Sequence, residues 1–157
     1  MKIKRIFIIL HFISLISFSQ SPDEMFAKHM GFNEKVLINN NLNSYIVGIS
    51  STTNGVEKEF EYFRNELNDP YNIEIVSSKS SGKIVIKNKL FKNPFEINFN
   101  TIYKKNEYKD ITYFFATNNP NVSVYYSKKN GQNDTLLITI KKDSSNNIIY
   151  LYTISNL

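Results

Sequence analysis

The residue pattern predicts an α+β fold, with a helix packed on a curved antiparallel sheet of about 6–8 strands. Three observations predict it. Val56, Phe60, Phe63 and Leu67 recur at steps of four, three and four within Asn54 to Asn68, the spacing of one helical face. From Tyr71 onward, apolar and polar residues alternate singly, as half-buried strands do. The connections between those runs are short and turn-like, which joins antiparallel neighbours, since a parallel crossover needs about a dozen residues or more.

The chain opens Met1-Lys2-Ile3-Lys4-Arg5, followed by an apolar run from Ile6 to Phe18 and then Ser19-Gln20. This is the plan of a secretory signal peptide: the run is about thirteen residues, short of the roughly twenty that cross a bilayer as a helix. Ser17 and Ser19 suit cleavage after Ser19, which divides the chain into a leader, 1–19, and one α+β domain, 20–157. The expectation is export to the periplasm or beyond the cell, with no transmembrane segment after cleavage. No cysteine occurs, which excludes disulfides, thiolate metal sites, a lipid-modified cysteine and cysteine nucleophiles. Removing Lys2, Lys4 and Arg5 from 19 cations leaves 16 against 14 acids. Bulk charge therefore gives no case for nucleic acid.

Taken in order, Ser21-Pro22-Asp23-Glu24 has the form of a capping box with proline at the first helical position, and Gly31 closes a short helix over 22–30. The run from Glu34 to Leu42 either prolongs that helical region or forms a short strand. Tyr45 to Ser50 is β-branched and short, a strand feeding the helix. Asn54 then reads as the helix N-cap, with Glu57, Glu59 and Glu61 near the positive end of the dipole. Asn68-Asp69-Pro70 reads as its stop. Alternation places strands around Ile73 and Ile75, Ile84 and Ile86, Phe95 to Thr101, Ile111 to Phe115, Val122 to Tyr126, and Leu136 to Ile140. The last run, Ile148 to Ile154, is apolar on both faces and reads as a central strand. The order strand, helix, antiparallel strands is similar to that of cystatin-like and NTF2-like rolls. It is an analogy of element order alone and carries no function.

For chemistry, the residues offer little. His29 is the one histidine beyond the leader, and no serine sits in a nucleophile-elbow context. No metal, cofactor or phosphate-cradling motif is present, and the isolated glycines form no phosphate loop. Glu74, Glu96 and Asp110 are the candidates for a glycan-hydrolysing carboxylate pair, each at an outward strand position. Between Lys79 and Lys109 the chain is locally basic, and Lys83, Lys87 and Lys89 share strand parity. Such lysines either bind an anionic surface polymer or lipid headgroup, or protect exposed strands from aggregation. Asn121-Val122-Ser123 and Asn133-Asp134-Thr135 match the glycosylation pattern, as an asparagine-rich chain does by chance.

The aromatic residues are the more informative signal. Tyr113, Phe115, Tyr126, Tyr150 and Tyr152 recur at alternating strand positions and form the candidate ligand-binding set. The function expected is a small exported, non-catalytic binding domain for an apolar small molecule or a partner protein. The alternatives are a cell-envelope glycan hydrolase and an accessory subunit of an envelope assembly whose sheet edge pairs with a larger neighbour.

Overall fold

The computed structural model describes residues 21–66, 69–88 and 93–155. Contacts divide the chain into a unit ending at Gly31 and a unit from Phe32 onward. In the first, helix α1 spans Pro22–His29; the Ser21 hydroxyl accepts from the Glu24 N–H at 3.2 Å, the bond its sequence predicts. The expected leader, 1–19, lies outside the described residues.

The second unit is all strand. In chain order these are β1 (Glu34–Val36), β2 (Asn40–Thr53), β3 (Val56–Glu57), β4 (Glu61–Arg64), β5 (Tyr71–Ser77), β6 (Gly82–Lys87), β7 (Phe95–Glu107), β8 (Asp110–Thr117), β9 (Val122–Lys128), β10 (Asp134–Lys141) and β11 (Asn147–Ile154). From β5 to β11 each strand pairs antiparallel with the next, and β2 closes the circuit by pairing with both β5 and β11. The result is a closed eight-stranded antiparallel barrel, with β1, β3 and β4 as attachments. This overturns the expected α+β arrangement of a helix on a curved sheet, and with it the analogy to cystatin-like and NTF2-like rolls.

The correction centres on the segment 54–68. Asn54 and Gly55 both adopt left-handed backbone, with φ of 51° and 78°, and Thr53 pairs directly with Val56. That is a two-residue type I′ hairpin turn, for which Asn-Gly is the strongest local signal. Asn54 is therefore a turn residue, not an N-cap. The chain folds back along β2, so that Glu61, Tyr62, Phe63 and Arg64 face Ile49, Gly48, Val47 and Ile46. Leu67 and Asn68 lie outside the described residues. The spacing of Val56, Phe60 and Phe63 has no partner surface to justify a helix: Val56 is 69% and Phe63 43% exposed. Helix propensity is worth only tenths of a kcal/mol per residue for these side chains, and the ladder along β2 overrides it. The Phe60 and Tyr62 rings settle on the outer face above Gly48, where a Cβ would stand 2.8 Å from the Tyr62 ring.

Two turns at one end of the barrel brace each other. The Asn54 N–H donates to Asn146 Oδ1 at 3.0 Å and the Gly55 N–H to the Ser145 carbonyl at 3.0 Å. Replacing Gly55 with alanine places a Cβ in open space, so its cost is the left-handed backbone alone, about 1–2 kcal/mol. Urea unfolding should show a lowered midpoint with an unchanged slope for Gly55→Ala and almost no change for Asn54→Gly. Equal effects from the two would rule out the type I′ turn.

Inside the barrel, alternate residues of every strand interdigitate. Ile73, Ile75, Ile84, Ile86, Phe99, Ile102, Phe115, Val124, Tyr126, Leu136, Ile138 and Ile154 are at most 1% exposed. Each such side chain contributes about 1.5–3 kcal/mol by leaving water. Val36 and Ile38, flanking the β1–β2 link, pack on this core. Ser77 ties that link down: the Ile38 N–H donates to its Oγ at 2.7 Å and the hydroxyl donates to the Ile38 carbonyl at 2.8 Å. The outward positions are mixed: Asn72, Lys83, Glu96, Asn98 and Thr135 are polar, whereas Val85, Phe114, Tyr125 and Leu137 are apolar or aromatic.

Candidate functional site

Antiparallel pairing sorts the strand ends. The β6–β7, β8–β9 and β10–β11 connections gather at one end, and the β5–β6, β7–β8 and β9–β10 turns at the other. At the first end the filled interior gives way to a cavity of about 280 Å³, lined by Ile86, Asn93, Pro94, Phe95, Tyr150 and Tyr152. The sequence builds it locally. Tyr150 and Tyr152 are two residues apart on β11 and so share the inner face. Ile86 and Phe95 are direct partners where β6 meets β7.

The rings converge. Phe95 and Tyr150 have centroids 6.4 Å apart and tilted by 42°, while Tyr152 meets Tyr71 edge-on at 5.5 Å. Tyr152 is 6% exposed, whereas Phe95 is 37% exposed and forms the outer lip. Burial pushes the Tyr152 hydroxyl well above its ordinary pKa, and the Tyr71 and Tyr150 hydroxyls nearby push it further in the same direction. The cavity is thus walled by aromatic rings, two of them tyrosines that carry hydroxyls. Through the register, Tyr152 lies opposite Val47 and Val47 opposite Phe63, while Tyr150 lies opposite Ile49 and Ile49 opposite Glu61. Phe63 and Glu61 therefore take the same side of the ladder as Tyr152 and Tyr150.

The five aromatic residues predicted as one set are divided by the structure. Tyr150 and Tyr152 line the cavity. Phe115 is fully buried and meets Phe99 edge-on at 5.1 Å. Tyr113 stacks on Tyr126 at 5.7 Å near the opposite end, where the Tyr126 hydroxyl donates to the buried Asp134 Oδ2 at 2.8 Å. Sequence reasoning misses Phe95, Ile86, Asn93 and Pro94 as lining residues. Phe95 begins a legible alternating strand, but its place on the lip follows only from closure of the barrel. A further ring cluster sits on the outer face of β7 to β9, where Phe114 lies 5.9 Å from Phe32, 5.3 Å from Tyr125 and 6.3 Å from Tyr103.

The predicted acids are dispersed. Glu74 and Glu96 stand on the outer face on either side of Val85, and Glu74 is 3.8 Å from Lys87. Asp110, at the opposite end, accepts the Asn130 N–H. The Glu74 and Glu96 pair stands on a convex wall, whereas carboxylate-pair hydrolysis needs two acids facing across a cleft. His29 is the exposed last residue of α1. Among the described residues no group of three His, Asp or Glu side chains is placed to hold a metal ion. Nor is any helix among them long and apolar enough to cross a membrane.

Comparison with models of protein families, with curated proteins and with solved structures finds no match to this chain.

Proposed function

We propose that this protein is a small binding protein that holds an apolar molecule in the end cavity of its barrel. The carrying observation is the cavity between Phe95 and Tyr150 at one end of an interior that is otherwise packed. Eight strands enclose a space that side chains nearly fill or that holds one small ligand. Ring walls with a few hydroxyls suit an apolar body with a polar handle. Export is part of the proposal, supported by the leader-like pattern of 1–19.

The test is titration with N-phenyl-1-naphthylamine, an apolar dye that fluoresces when it leaves water. The native protein should enhance its emission saturably. Phe95→Ala combined with Tyr150→Ala removes two cavity walls that are not in the deep core, and should weaken binding about tenfold or more, about 1.4 kcal/mol. A folded double variant with undiminished affinity would reject the cavity as the binding site.

A further inference from the structure

The locally basic stretch acquires a shape in the structure. Several of its lysines are neutralised by acids: Lys87 faces Glu74 at 3.8 Å, Lys104 pairs with Glu34 at 3.1 Å, and Lys105 pairs with Glu107 at 2.5 Å. Lys89 and Lys92 lie outside the described residues. Lys79 and Lys83, in contrast, stand beside two adjoining hollows of about 330 and 340 Å³ that share Ser77, Ser78 and Phe99. Lys35 borders the first hollow, with its ammonium 5.7 Å from the Tyr103 ring centre. Among the described residues neither hollow is lined by an acid. Glu74 and Glu96 lie one row further along the same outer wall.

The backbone explains why a hollow forms here. On one side of β7, Phe95 to Phe99 pair with β6, and Ile102 to Lys104 pair with β1. Between the two, the β7–β8 register shifts across Phe99 and Thr101, leaving Asn100 as the extra residue of a bulge. The β7 edge between β6 and β1 is therefore left without a strand partner at Asn100 and Thr101, and those two residues line the hollow together with Lys79. Asn98, Ser81 and Asn118 continue the polar lining past Lys83. Exposed Leu37 and Val76, 56% and 41% exposed, add small apolar surfaces.

We propose that this groove is a second binding site, separate from the end cavity, and that it takes an anionic oligosaccharide. Amides and hydroxyls interleaved with lysines match a chain of sugar hydroxyls carrying carboxylates. The groove lacks the aromatic stacking faces that single-stranded nucleic acid needs, since Phe99 is 1% exposed. A bilayer surface would meet the rim and leave the hollows unfilled.

The experiment is calorimetric titration of the full chain with trigalacturonate, with neutral maltotriose, and with inorganic phosphate at low salt. Trigalacturonate should bind, more weakly as salt is raised, and maltotriose should not. Lys79→Ala combined with Lys83→Ala should weaken binding about tenfold, while Lys141→Ala combined with Lys142→Ala, an equal charge change at the other end of the barrel, should leave it within about twofold. Three results would each overturn the proposal: no trigalacturonate binding by the native chain, equal loss in both double variants, or phosphate binding as tightly as the trisaccharide. Retained dye binding by Lys79→Ala/Lys83→Ala would show that the variant is folded and that the two sites are distinct.

Discussion

Phe115→Ala is expected to lower the unfolding free energy by about 3–5 kcal/mol, the cost of deleting a fully buried aromatic ring from a core that cannot collapse around the gap. Phe115 has no exposed surface and abuts the Phe99 ring across the β7–β8 pair. Domains of this size are stable by about 5–15 kcal/mol, so the loss takes a large share of the whole. Urea unfolding followed by tyrosine fluorescence, unmixed because the chain has no tryptophan, should show the shift with an unchanged slope. Phe115→Leu keeps most of the volume and should cost less than half as much. A loss below about 1 kcal/mol for the alanine variant would mean that the barrel interior is not packed around this ring.

The second large effect concerns Tyr126 and Asp134, a polar pair inside an apolar barrel. Asp134 is 6% exposed; one carboxylate oxygen accepts the Tyr126 hydroxyl at 2.8 Å and the other the Lys129 N–H at 3.4 Å. Tyr126→Phe removes one of these bonds while the carboxylate stays buried, at a cost of about 1.5–3 kcal/mol. Tyr126→Phe combined with Asp134→Leu should cost less than the sum of the two single changes, because neither member of the pair is then stranded without the other. The pair also predicts alkaline behaviour. Burial first, then the hydrogen bond to Asp134 and its charge, hold the Tyr126 hydroxyl far above its ordinary value near 10. A group whose pKa is raised on folding stabilises the fold below its unfolded value, and that stabilisation is lost as pH rises past it. Stability should thus begin to fall above about pH 10, and Tyr126→Phe should make the fall shallower, with Tyr152 accounting for part of what remains. An alkaline profile of equal steepness in the variant would remove Tyr126 from this account.

Much of the architecture is legible in the chain before it folds. Single alternation marks β5 to β10 because each strand presents one face to the core, and an unbroken apolar run marks β11, so the signal is complete within a few residues. The short connections reveal antiparallel neighbours for the same local reason. Ser21 and Glu24 announce α1 through a cap that spans four residues. The segment 54–66 misleads because its apolar spacing fits a helix while its Asn-Gly pair dictates a hairpin. The turn signal acts on two backbone angles that only glycine and asparagine tolerate well, and it is the stronger of the two.

The candidate site is less legible. Tyr150 and Tyr152 stand out as paired ring positions on one strand, yet Tyr113, Phe115 and Tyr126 carry the same pattern and end in the core or at the far end. Alternation tells which face a side chain takes and says nothing of its height along the barrel axis. The groove at Asn100 is hidden for a related reason, because a bulge is a mismatch between two strands and exists only once they pair.

By itself the sequence determined strands β5 to β11, the cap of α1 and the absence of cysteine chemistry. All of these depend on neighbours a few positions apart or on composition. The tertiary structure alone decided that the sheet closes, through Tyr152 opposite Val47 and Tyr150 opposite Ile49. Those partners are separated by most of the chain, and their pairing rests on burying both edges of the sheet at once, a requirement that no short stretch of residues expresses.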